Sequence, residues 1–91
     1  MRIYESSFSM QGVVKNRDGK PMPEVVVIAK TLNGRQSAAV KSDKKGQWAF
    51  KEINPDTYRV FAIYDKKPSK EVFVHGHHIK KREDKPIEII V

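Results

Sequence analysis

GVVKNRDGKPMPEVVV, residues 12–27, reads as the end of one strand, a turn and the start of the next. The β-branched pair Val13-Val14 gives way at Lys15 to Asn16, Asp18 and Gly19, residues whose side chains or lack of one suit a tight turn. Gly19 is the residue expected at positive φ. Pro21 and Pro23 cannot donate to a ladder, which places them at a sheet edge or outside it. From Val25 to Thr31 the chain is β-branched and apolar at both parities until Lys30, the pattern of a strand covered on both faces. The polar residues of this stretch therefore read as turn-formers within a scaffold.

Outward from there the periodicity stays near two, with Gly, Pro, Asn and Asp recurring every 8–12 residues or so, as in an all-β sandwich. The first strand begins near Phe8. Asn33-Gly34 between two strand-like runs predicts a type I′ hairpin, with a return strand from Gln36 to Lys41 and a second tight turn over Ser42–Gly46. Trp48 and Phe50 share one parity and point inward. Asn54-Pro55-Asp56 turns the chain into a strand from Tyr58 to Tyr64. A loop at Asp65–Ser69 precedes a strand at Glu71–Val74, and Ile87–Val91 closes the sheet. That makes seven strands and no helix, in one domain spanning residues 1–91, with residues 1–7 as an extended N-terminal segment.

At 91 residues, 38% of them hydrophobic, the chain can build one modest core. It has no cysteine, which excludes disulfides and thiolate metal sites. No apolar run approaches the roughly 18 residues of a membrane span, and the first residues, MRIYESSFSMQ, lack the apolar core of a secretory signal. Lys and Arg outnumber Asp and Glu by 18 to 11, a net charge of +7 that favours encounters with polyanions.

Three blocks of residues combine into a recognisable order. The first is Gly12, Val14, Asn16, Gly19, Pro21, Met22, Val25 and Val27; the second is Ser42, Asp43, Gly46, Trp48 and Phe50; the third is Ile53, Pro55, Thr57, Tyr58 and Val60. Together they resemble the carboxypeptidase regulatory-like domains over residues 10–75. That resemblance implies a seven-stranded, antiparallel, Greek-key β-sandwich of transthyretin-like type. It also implies a non-catalytic accessory module, often within a larger exported or surface protein. One departure is Asp56, where such domains usually carry glycine.

Related sandwiches that do chemistry are excluded by their own motifs. In the Cna-B-like relatives, which form Lys–Asn isopeptide bonds, an acid follows the tyrosine by four positions; here that position is Ala62. Hydroxyisourate hydrolases end in Tyr-Arg-Gly-Ser, whereas this chain ends Ile-Glu-Ile-Ile-Val. Nucleotide-loop, nucleophile-elbow and zinc-protease signatures are all missing. His75, His77 and His78 could meet a transition metal, but an organised site needs further ligands, and the expected reading is solvated imidazoles beside a glycine turn. No catalytic residue, cofactor or metal site is expected.

Two surfaces remain. With Tyr58, Val60, Ala62 and Tyr64 facing inward, Phe61 and Ile63 face outward, as do Phe73 and Ile90 by the same parity. These four form a candidate interface for a protein partner, a neighbouring domain or a second copy; the competing reading is that bulges or the N-terminal segment Ile3–Phe8 cover them. The alternative is a polyanion- or glycan-binding surface made of Lys44, Lys45, Lys66, Lys67, Lys80, Lys81 and Arg82. Aromatic residues spaced for base stacking are missing, so nucleic acid is not the expected ligand.

Overall fold

A computed structural model of the protein describes residues 8–53, 56–75 and 87–91. These contain eight strands: β1 (Phe8–Lys15), β2 (Val26–Thr31), β3 (Ser37–Lys41), β4 (Gln47–Ile53), β5 (Thr57–Tyr64), β6 (Lys67–Pro68), β7 (Val72–His75) and β8 (Ile87–Ile90). They form two sheets. One has the order β4-β1-β8; the other has the order β3-β2-β5-β6, with β7 also paired to β5. The pairings β1·β4 and β2·β5 are the long-range connections expected of a sandwich.

The core lies between the sheets. Met10, Val14, Ile89, Trp48 and Phe50 from the smaller sheet meet Val27, Ala29, Tyr58, Val60, Ala62 and Val74 from the larger one, with Val25 beside them. Trp48 and Phe50 pack edge to face at 5.7 Å between ring centroids, a geometry that aligns the positive rim of one ring with the negative face of the other. Burial of these side chains is the main favourable term in the fold.

Gly12 sits at the crossing point of the smaller sheet, paired with Trp48 on one side and Ile87 on the other. A β-carbon there would lie 2.5 Å from Trp48 Cζ2 and would also run into the Ile87 carbonyl oxygen. Only a residue without a side chain lets the indole lie across the strand. The Trp48 Nε1–H is buried there without a hydrogen-bond partner among the described residues, a loss of about 1–3 kcal/mol set against the burial of the whole indole.

The turns explain the polar residues of the first two sequence blocks. Asn16 Oδ1 accepts from the Asp18 and Lys20 amides at 2.8 and 3.0 Å, and Gly19 has φ of 86°. Asp43 Oδ1 accepts from the Lys45 and Gln47 amides at 2.8 and 2.9 Å. The buried Ser42 hydroxyl accepts from the Val25 amide and donates to the Met22 carbonyl, tying the loop after β1 to the turn after β3. Gly46, at φ 75°, leaves space for that loop: a β-carbon would lie 2.7 Å from the Val14 carbonyl oxygen. Pro21 and Pro23 both lie exposed outside the named strands.

Several expectations are corrected. Asn33-Gly34 is not a type I′ hairpin, because among the two only Gly34 has positive φ. Asn33 instead uses Oδ1 to accept from Thr31 Oγ1 and the Arg35 amide, each at 2.8 Å, which holds a longer loop. The two-residue hairpin with left-handed centres is Asp65-Lys66, φ 58° and 65°, between the paired Tyr64 and Lys67. It creates β6 within the stretch expected as a loop, giving eight strands instead of seven. Tyr64 is 45% exposed rather than inward, since it stands at the last position of β5 beside that turn. The β1·β8 pair is parallel, an exception to the antiparallel expectation; β8 follows β7 of the other sheet and enters beside β1 in the same direction.

Two substitutions test these constraints. Gly12→Ala is expected to destabilise by about 3 kcal/mol or more, because both obstacles are core or backbone atoms; urea unfolding with a midpoint near wild type would refute the close approach. Lys66→Gly is expected to stabilise by about 0.5–1 kcal/mol, the relief of a left-handed lysine exceeding the added chain entropy. Thermal and urea melts of the variant measure that gain.

Candidate functional site

The two sheets present unlike outer faces. On the smaller sheet the outward positions of β1, β4 and β8 carry Gln11, Lys15, Gln47 and Glu88, with Val13, Ala49 and Ile90 between them. Lys15 Nζ and Glu88 Oε2 form an exposed ion pair at 2.8 Å across the parallel strands, worth at most about 1 kcal/mol. That face is largely polar.

The larger sheet differs. In β2 the residues of one parity are buried and the others half-buried, so the strand is covered fully on only one side, contrary to the two-sided coverage expected. Register places Val26 beside Ile63, and Ile28 beside Phe61 on one side and Ala39 on the other. None of these outward residues belongs to the core or its partly buried surround. Phe73, 54% exposed, stands opposite Arg59 and so diagonal to Phe61, one row along. The half-buried Val26, Ile28, Phe61 and Ile63, with the exposed Phe73, make an apolar strip across three strands. All the described strands lie in the two sheets, so no described strand covers it.

Of the four residues expected as an interface, the structure brings together Phe61, Ile63 and Phe73. Ile90, though 46% exposed, is on β8 of the smaller sheet and faces away from them. Sequence parity cannot tell which sheet a strand joins, and that is why Ile90 was grouped with the others. Val26 and Ile28 escape a sequence reading for the opposite reason: two apolar parities in one run predict burial on both faces.

Charges border the strip. Lys30 and Arg59 are directly opposite each other, with Phe73 opposite Arg59 on the next strand. Lys41 pairs with Val26 at the other margin. Arg59 Nη1 reaches Glu71 Oε2 only at 3.7 Å, and its Nε is buried without a partner among the described residues.

The basic turns segregate by topology. Lys44 and Lys45 lie in the turn between β3 and β4, while Lys66 and Lys67 lie at the β5–β6 hairpin. Both turns are at the end of the sandwich where β1 leads into β2, since Val14 bonds to Gly46 and Val26 pairs with Ile63 and Lys41. Arg17 and Lys20, overlooked in the sequence, join them in the loop after β1. The alternation of strand directions carries that information, and it is available once the pairings are known. Lys80, Lys81 and Arg82 lie outside the described residues, as do His77, His78 and the segment 1–7. His75 closes β7.

Chemical groups are sparse elsewhere. Among the described residues no three His, Cys, Asp or Glu side chains gather as a metal would require, and no helix is long and apolar enough to cross a membrane. Burial pushes the Tyr58 phenol above its ordinary pKa, and the Asp56 carboxylate adds to the rise. Tyr58 is a core residue, so this shift reflects packing rather than a poised acid.

The match to known families follows the fold. The family model of the carboxypeptidase regulatory-like domain matches residues 9–82, which takes in the three sequence blocks, the larger sheet with its apolar strip, and β1 and β4 of the smaller sheet. No protein with a curated description matches the chain. Domains of this family are typically non-catalytic modules. With the sandwich, its turn residues and its core aromatics in place over that span, the chain belongs to the family of carboxypeptidase regulatory-like domains.

Proposed function

We propose that this domain is a non-catalytic protein-interaction module, part of a larger exported or surface protein, that docks through the outer face of its five-stranded sheet. The observation that carries the reading is the asymmetry of the two outer faces. Val26, Ile28, Phe61, Ile63 and Phe73 line one, while the other is chiefly polar. Soluble domains keep contiguous exposed apolar patches small, and larger ones mark contact surfaces. The mechanism is presentation: the packed core holds the sheet rigid, so a partner meets a preformed surface and little ordering entropy is lost on binding.

A photo-crosslinking amino acid placed at position 73, in the cell that makes the protein, is expected to yield a discrete protein adduct. The same group at position 49, on the outer face of the smaller sheet, is expected to yield none. Equal yields from the two positions, or none from either, would overturn the assignment of the face.

A second reading is favoured by one observation, the gathering of Arg17, Lys20, Lys44, Lys45, Lys66 and Lys67 at a single end of the sandwich. Such an end would hold a sulfated glycan or another polyanion by charge. Retention on immobilised heparin should then fall steeply with salt, and Lys44→Ala/Lys45→Ala/Lys66→Ala/Lys67→Ala should flatten the slope by several units in the log–log plot. Weak retention that the quadruple variant leaves unchanged would eliminate this reading.

A further inference from the structure

Resting on the docking face proposed above, we infer that its occupant is an acidic, apolar segment of a different protein or domain, and not a second copy of this chain. Three features of the face support this.

The first is the sign of its charges. The outward positions of β2, β3 and β5 carry three cations, Lys30, Lys41 and Arg59, against one carboxylate beside them, Glu71 just before β7, which pairs with Arg59, so the face is net positive. Stacking two copies of this face would set cations against cations or bury them against apolar side chains, and both arrangements are unfavourable. An acidic partner has neither problem.

The second feature is local. Lys30 and Arg59 are immediate cross-strand neighbours, a like-charge arrangement that weakens a sheet. Among the described residues the nearest carboxylate, Glu71, lies 3.7 Å from Arg59 Nη1, too far for a good hydrogen bond, and none of them partners Arg59 Nε. This row is therefore under-neutralised, and it borders Phe73, the most exposed ring of the face. A carboxylate laid on Lys30 and Arg59, with an apolar side chain over Phe61 and Phe73, would satisfy both at once. Guanidinium groups favour planar, two-pronged contact with carboxylate.

The third feature is size. Strand spacing and rise make the face roughly 20 Å by 20 Å, about half of what one side of a standard stable interface covers. That area is too small for an obligate dimer but adequate for a peptide segment or a neighbouring domain that also engages the charged margin.

The test uses the purified full chain and three short synthetic peptides: glutamate alternating with leucine, lysine alternating with leucine, and glutamate alternating with serine. Binding is read by fluorescence anisotropy at low and moderate salt, beside sedimentation equilibrium of the protein alone. The glutamate–leucine peptide is expected to bind about tenfold or more tighter than either of the others. Lys30→Glu/Arg59→Glu should reverse the preference toward the lysine–leucine peptide, a reversal that only a folded variant can show. Lys30→Gln should give a smaller loss in the same direction.

Equal binding of the glutamate–leucine and lysine–leucine peptides, both abolished by Phe61→Ser/Phe73→Ser, would overturn the acidic partner and leave the docking face standing. A concentration-dependent dimer dissolved by Phe61→Asp would do the same, by naming a second copy as the occupant. Peptide binding indifferent to Phe61→Ser/Phe73→Ser would overturn the face and the partner together.

Discussion

The structure depends on how closely three strands approach at Gly12. The indole of Trp48 and the backbone of Ile87 both occupy the space where a side chain would stand. This permits the indole to lie flat across β1, and the edge-to-face contact with Phe50 follows from that position. The β1·β8 pairing depends on the same gap, and through it Ile89 enters the core at 2% exposure. The seating of the indole and the attachment of the last strand thus both depend on one missing β-carbon.

From that constraint the two sheets divide their labour. The smaller sheet spends its large side chains inward and leaves a polar exterior. The larger one buries mostly Val, Ala and one Tyr on its inner side and carries its bulkier residues, Phe61, Ile63 and Ile28, outside. Folding alone gives no reason for this inversion, since large apolar side chains stabilise most when fully buried.

Much of this was legible in the sequence, and the failures have physical causes. Strand β1 and the inward pair Trp48 and Phe50 follow from alternation and turn chemistry, which act over a few residues. The hairpin at Asn33-Gly34 was misread because Asn33 binds neighbouring groups with its side chain and so holds a longer loop. The Asp65-Lys66 turn was missed because lysine in the left-handed region leaves no compositional trace. Ile90 was placed on the wrong face because sheet membership is set by pairing over long distances. The like-charged neighbours Lys30 and Arg59 lie 29 positions apart in sequence, so nothing short-range could have joined them.

The parallel arrangement of β1 and β8 also bears on how the molecule comes into being. Lys15 and Glu88, which bridge the two strands, are 73 positions apart. On a ribosome, β1 and β4 are available long before β8, so the flank of β1 that β8 will occupy stands open while the intervening residues are made. Contacts of such wide separation slow a small domain's folding, and an open strand flank is a template for pairing with other chains. The parallel pairing of β8 is what closes that flank of β1.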